Sequence, residues 1–77
     1  MPKKLSALKP KQVVTALKRA GFFIHHQTGS HIQLRHNERS HVRVTVPFHS
    51  NFELPPFVVA SILKQAEISK EEFLELL

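Results

Sequence analysis

The stretch HIQLRHNERSHVRVTV, residues 31–46, decides the fold because apolar and polar side chains alternate on both sides of a polar break. Alternation with a period of two is typical of a β-strand with one buried face. The segment NERS at 37–40 predicts the turn between two such strands. The predicted buried face carries Ile32, Leu34, Val42, Val44 and Val46. The opposite, basic face carries His31, Gln33, Arg35, His41, Arg43 and Thr45.

A third strand is predicted just before this stretch. FFIHHQ, residues 22–27, is rich in residues that favour strands. The segment TGS at 28–30 contains Gly29 and predicts a turn. The three strands should therefore form an antiparallel meander.

A first helix is predicted ahead of the strands. Pro10 suits the first turn of a helix, where its missing N–H costs nothing, and Gly21 is a typical stop signal just past the helix end. Between them the apolar residues recur with the spacing of one helix face: Val13, Val14, Leu17 and Ala20.

Two further helices are predicted after the strands. Pro55-Pro56 precedes a helix whose buried side we expect to contain Val58, Val59, Ile62, Leu63 and Ala66. A short helix should follow from Ser69 and Glu72, which have the spacing of a capping box. The order α-β-β-β-α-α predicts an α+β fold in two layers, with the helices on one sheet face and the other face open.

Length and composition limit what the chain can be. Its 77 residues are enough for one domain with a small core, and we expect a single domain over residues 10–77 behind a flexible basic arm at residues 1–9. No cysteine is present, which excludes disulfides, thiolate zinc sites and a cysteine nucleophile. No apolar run approaches the roughly 20 residues of a membrane span, so we expect a cytoplasmic protein with no membrane contact.

Charge is distributed unevenly along the sequence. Residues 1–50 contain nine Lys or Arg and one acid, Glu38, whereas residues 51–77 contain two lysines and five glutamates. A basic segment of this size indicates a polyanionic partner, with nucleic acid the first candidate. Charge alone is equally typical of small basic proteins that bind no nucleic acid specifically.

The six histidines raise the question of a metal site. Neighbours on a strand point to opposite faces, so His25 and His26 are not expected to share an ion. His31 and His36 are five residues apart and also fall on opposite faces, and no carboxylate lies among the histidines that do share one. We therefore predict no metal and no other cofactor.

A catalytic role is the alternative for His31. It follows the turn Thr28-Gly29-Ser30, where a positive φ at Gly29 would sharpen the turn and backbone N–H groups could bind a phosphate oxygen. Histidine can accept a proton and return it at neutral pH, and RNA offers a 2′-hydroxyl beside its phosphate. Arg35 and Arg43 could hold the substrate and offset charge on the phosphorus. On the pattern alone, a polar residue on an exposed strand is the more common case.

The ordered set of motifs resembles the HicA toxin family, small bacterial RNA-cleaving proteins of toxin–antitoxin pairs. The marks are LKRAGF, HHQTGSH with its Gly-Ser-His motif, the strand end LRH, VTVPFH with its Val-Pro-x-His segment, SILKQA and ISKEEFLELL, over roughly residues 8–77. The resemblance implies a fold like the double-stranded RNA-binding domain. It also implies an endoribonuclease that cleaves mRNA, and a HicB-type antitoxin as partner.

Residue roles follow from the resemblance at the matching positions. It implies that His31 is catalytic, that Gly29 and Ser30 complete its motif, and that His49 positions the loop, contacts substrate or caps backbone. The chain departs from the family pattern in two places. Pro56-Phe57-Val58 replaces a usual Gly-Thr-Leu and removes a possible phosphate contact, and Glu67 replaces a usual glycine, so it must end a helix in a strained conformation.

Two other functions remain open on the sequence. A non-catalytic RNA-binding module would track phosphates without cutting them, and a protein-interaction domain would recruit a partner through a strand edge or the acidic C-terminal helix. Among the remaining residues, we expect Phe22 and Phe73 in the core and His36 at its edge with a backbone partner. Phe48 and Phe52 suit either the core or base stacking, and His25 or His26 is a candidate to assist His31.

Overall fold

The computed structural model describes residues 7–48 and 53–77. Three helices and three strands follow in the predicted order: α1 (Pro10–Arg19), β1 (Phe22–Gln27), β2 (His31–His36), β3 (Arg43–Pro47), α2 (Pro56–Ala66) and α3 (Lys70–Leu76). The strands form one antiparallel sheet in the order β1-β2-β3. The α+β class and the α-β-β-β-α order of a double-stranded RNA-binding domain, with one short helix added, are confirmed.

The central strand, β2, sets the two faces of the sheet. Ile32 lies opposite Val46, and Leu34 opposite Val44; all four are buried. Because side chains alternate along a strand, the neighbouring His31 and Gln33 must lie on the other face, where both are exposed. The third strand begins at Arg43, two residues later than the alternation predicts, because Val42 N–H bonds to the Arg39 carbonyl at 3.0 Å and extends the turn.

The helices cover the apolar face of the sheet. α1 packs on β1 and β3, and α2 packs on β3. Phe22 and Phe73 are buried, as predicted, whereas Phe57 is 76% exposed. The fully buried large side chains are Phe73, Leu17, Leu34, Leu54, Ile62, Val13, Val42, Val44, Val46 and Val59.

A β-bulge interrupts the pairing of β1 with β2. Ile24 lies opposite Leu34 and His26 opposite Gln33, which leaves His25 as the extra residue between them. In a bulge two residues oppose one, so strict alternation fails here. The prediction that His25 and His26 point to opposite faces is therefore wrong.

Both ends of the described chain are tied to the domain. Leu8 and Leu54 exchange two backbone hydrogen bonds, at 3.1 and 2.7 Å, so the folded part begins before Pro10. Residues 1–6 of the predicted arm lie outside the described residues. At the other end, Arg19 donates to the Leu76 carbonyl at 2.7 Å, which places a cation at the C-terminus of α3, where the helix dipole favours it.

The predicted helix signals are present. Pro10 begins α1, and the Ser69 hydroxyl accepts from Glu72 N–H at 3.1 Å at the start of α3. Glu67 ends α2 in the left-handed conformation, with φ 57° and ψ 42°. A residue with a Cβ pays about 1 kcal/mol or more for that conformation, so the strain expected at this position is present.

His36 has a structural role at the end of β2. Its Nε2 lies 3.0 Å from the Ala20 carbonyl, while Nδ1 accepts the backbone N–H groups of Glu38 and Arg39, both at 3.1 Å. Nε2 must therefore carry the proton and donate. The ring also packs edge-on against Phe22 with centroids 4.8 Å apart, which confirms the expectation of a core-edge histidine with a backbone partner.

No helix in the described ranges is long and apolar enough to cross a membrane.

Gly21→Ala should destabilise the domain by about 1–3 kcal/mol. Gly21 has a φ of 101°, and an added Cβ would lie 2.9 Å from His36 Nε2. Urea unfolding measures the effect, with Gly29→Ala as the matched control: Gly29 lacks a positive φ, and a Cβ there would meet nothing within 4 Å. Equal stability of the two variants would contradict the structural role assigned to Gly21 and His36.

Candidate active site

His31 stands at the first position of β2, on the open face of the sheet. It lies opposite Pro47 and is exposed. The turn before it is held by two backbone hydrogen bonds, from Thr28 N–H to the His31 carbonyl at 2.9 Å and from Phe48 N–H to the Ser30 carbonyl at 2.8 Å. The imidazole therefore projects into solvent from a backbone fixed by both neighbouring strands.

A hydrogen bond orients the His31 ring. Ser30 Oγ lies 3.0 Å from His31 Nδ1. A serine hydroxyl can accept as well as donate, so it can accept from Nδ1–H whether the ring is neutral or protonated. With Nδ1 occupied in this way, Nε2 is free to take up and release a proton.

Gly29 differs from the prediction. It does not adopt a positive φ, because the two hydrogen bonds around it close the turn in a conformation open to other residues. An added Cβ would meet no atom within 4 Å, so neither backbone strain nor packing within the domain requires glycine here. A glycine at this position leaves the backbone accessible to the close approach of a ligand.

Backbone donors are available at the same turn. Within the described residues, no hydrogen bond uses the N–H of Gly29 or of Ser30. Neighbouring N–H groups in a turn are suited to binding an anionic oxygen. The turn thus offers donors directly beside an oriented imidazole.

The middle of the open face forms a shallow polar pocket of about 220 Å³. Its polar lining includes His25, Gln33 and Thr45, and Gln33 pairs with both Thr45 and His26. The bulge brings both His25 and His26 to the open face. The residues on either side of them, Ile24 and Gln27, line a cleft on the opposite face of the sheet. This placement was not predictable from the residues alone, since a bulge has no fixed residue pattern.

Arg35 and Arg43 form the far end of the same pocket. They lie directly opposite each other on β2 and β3. Within the described residues, the one contact of salt-bridge length joins the His41 imidazole to a Glu67 carboxylate oxygen at 3.3 Å, and it does not involve either arginine. Like charges directly opposite in a sheet are destabilising, so an anion bound between the two arginines would relieve their repulsion.

The arginine pair is separated from His31 along the face. Arg35 is four residues from His31, which corresponds to about 13 Å between Cα atoms at roughly 3.3 Å per residue. At this distance from His31, the arginine pair is better placed to contact a neighbouring phosphate of a nucleic-acid chain than the phosphate beside His31.

Residues 7–48 and 53–77 contain no group of three or more His, Cys, Asp or Glu placed to hold a metal ion. His49, together with Phe52, lies outside the described residues, so its predicted role stays a prediction.

The fold and the open face define a class: a small basic α+β domain that presents an oriented histidine, free backbone donors and paired arginines on one exposed surface. The comparisons are more specific. The family of the HicA toxin of bacterial toxin–antitoxin systems matches residues 10–68, and the chain belongs to this family. No curated protein matches the chain.

Arg43→Thr should stabilise the domain by about 0.2–1 kcal/mol, because it removes a like charge opposite Arg35 and introduces a good strand former. Chemical denaturation at low salt measures the gain, which should shrink in 1 M salt as the repulsion is screened. Arg43→Lys is the matched control, since it keeps the charge and should show no such gain. A lower free energy of unfolding for Arg43→Thr at low salt would contradict the repulsion assigned to Arg35 and Arg43.

Proposed function

We propose that the protein is the toxin of a toxin–antitoxin pair and acts as a metal-independent endoribonuclease that cleaves mRNA in the cytoplasm. The observation that carries the proposal is the exposed His31 ring, bonded to Ser30 and adjacent to free N–H groups. Membership of the HicA family supports the toxin role.

The proposed reaction uses the RNA's own nucleophile. His31 Nε2 accepts the proton of a 2′-hydroxyl, and the 2′-oxygen attacks the adjacent phosphorus. The bond from phosphorus to the 5′-oxygen breaks, and that oxygen receives a proton. The products are a 2′,3′-cyclic phosphate and a 5′-hydroxyl, so the proton taken from one oxygen is balanced by the proton given to the other.

The turn and the arginines complete the site. We assign the N–H groups of Gly29 and Ser30 to a non-bridging oxygen of the scissile phosphate, where fixed donors stabilise developing charge. Arg35 and Arg43 bind a flanking phosphate, in keeping with their distance from His31. His26 lies on the same face, opposite Gln33, and is the candidate to protonate the leaving oxygen.

A HicB-type antitoxin is the proposed protein partner. The face that carries His31 and the arginines is open and bears no acidic side chain at its paired positions. A partner that covers this face with acidic groups would exclude RNA and relieve the arginine repulsion at the same time.

A non-catalytic RNA-binding module is the second candidate. The fold order of a double-stranded RNA-binding domain and the uncompensated arginines favour it, since such domains recognise shape and 2′-hydroxyls without cleavage. Incubation with labelled RNA separates the two, because this candidate binds the RNA and leaves its length unchanged.

His31→Ala should lower the rate of RNA cleavage in EDTA by about 10²–10⁴-fold, the usual contribution of a positioned acid–base group. The fold should be retained, because the side chain is exposed. His41→Ala is the matched control: it removes another exposed histidine, one that pairs with Glu67, and should cleave like the parent.

Cleavage by His31→Ala at the parental rate would remove His31 from the mechanism. Expression in bacteria gives an independent readout: the parent and His41→Ala should arrest growth, and His31→Ala should not.

Gly29→Ala should lower cleavage at least tenfold (about 1.4 kcal/mol of barrier) while leaving the free energy of unfolding unchanged or slightly higher. The added methyl group meets nothing in the free protein but would occupy the space through which RNA approaches the turn. Cleavage kinetics and urea unfolding on one preparation test this. Full activity would show that RNA does not approach the backbone there.

A further inference from the structure

A second cleft lies on the helix side of the sheet and is not used by the proposed reaction. It has a volume of about 370 Å³ and opens between α1 and β1. α1 provides Lys11, Thr15 and Lys18 along one wall, and the floor is formed by Ile24, Ile32 and Phe48. We refer to this feature as the α1 cleft.

The α1 cleft is structurally connected to the candidate active site. Phe48, in its floor, donates its N–H to the carbonyl of Ser30, the residue that holds the His31 ring. Ile32, also in the floor, directly follows His31 and points to the opposite side of the sheet. The cleft and the site thus lie on opposite sides of the sheet at the same end of β2, and both adjoin the β1–β2 turn.

The lining combines apolar and cationic groups. Ile24 is 37% exposed, although it lies on the face of the sheet that the helices cover. Lys11 and Lys18 are exposed at the rim, and none of the residues that line the cleft is acidic. An apolar floor below ammonium groups matches a nucleotide, whose base needs an apolar surface and whose phosphate needs a cation.

We infer that the α1 cleft binds a nucleotide of the substrate RNA that flanks the scissile phosphate, with the base against Ile24 and Phe48 and the adjoining phosphates at Lys11 and Lys18. The inference rests on the proposed function, because it assigns the cleft to the same RNA strand. The volume is within the range of small-ligand sites, about 300–1,000 Å³. The strand would pass around the β1–β2 turn, from the arginine face to the helix side.

Salt dependence provides a sharp test. Binding of a single-stranded RNA is measured by fluorescence anisotropy at several salt concentrations, in a His31→Ala background that prevents cleavage. Each phosphate contact contributes about 0.7 to the slope of log affinity against log salt. Lys11→Gln combined with Lys18→Gln should reduce the slope by about 1.4 and weaken binding roughly 20-fold at 0.1 M salt.

The matched control removes the same charge elsewhere. Lys64→Gln combined with Lys70→Gln changes two exposed lysines in α2 and α3, outside the cleft lining, and should leave the slope near that of the parent. Equal slopes for the two double variants would overturn the inference. So would a Lys11/Lys18 variant that binds RNA normally and has lost affinity for a protein partner, which would assign the cleft to that partner.

Base contact is tested separately. Single abasic nucleotides are placed at successive positions around the cleaved bond. An abasic nucleotide at one position away from that bond should lower the affinity of the RNA several-fold. Ile24→Thr, which keeps a branched strand residue, should abolish this difference between the intact and the abasic RNA. Absence of any sensitive flanking position would overturn the base contact. Failure of the proposed function is distinguishable, because the parent would then leave the RNA uncut.

Discussion

The alternation of β2 is the constraint on which the rest of the structure depends. Ile32 and Leu34 are buried between the valines of β3 and the helices, and this burial fixes which way every other side chain of the strand points. A shift of one residue would bury His31 and expose the core. The position of the candidate catalytic group is therefore set by the same apolar contacts that stabilise the fold, together with the hydrogen bond from Phe48 N–H to the Ser30 carbonyl.

Several features of the open face and the α1 cleft do not favour stability. Arg35 faces Arg43 without an acid, Gly29 stands where other residues would fit, and Ile24 is left partly uncovered. Each has a cost or gives no gain in the isolated domain, and the proposed binding of one RNA strand on both sides of the β1–β2 turn would account for all three. By contrast, Gly21 and His36 are fully explained by contacts within the domain.

Much of the fold could be predicted from the sequence because the apolar residues of β2, β3 and the helices recur with the period of a strand or a helix. The boundaries of β1 and β2, the helix start at Pro10 and the Ser69 cap were all predictable from local chemistry. The bulge at His25 was not, because it depends on pairing with β2 rather than on its own residues. The φ of Gly29 was not predictable either, since hydrogen bonds from two strands decide it. His31 could be predicted as the candidate catalytic residue from its motif, while its bond to Ser30 and its distance from the arginines required the structure.

In the proposed reaction, His31 activates a 2′-hydroxyl of the RNA. The most direct measurement uses an RNA with one 2′-deoxyribose immediately 5′ to a bond that the parent protein cleaves, incubated in EDTA. We predict that this bond stays intact, that other bonds in the same molecule are cut at the normal rate, and that their products end in 2′,3′-cyclic phosphates. Cleavage of the deoxyribose-containing bond at the parental rate would show that another nucleophile attacks the phosphorus and would contradict the account.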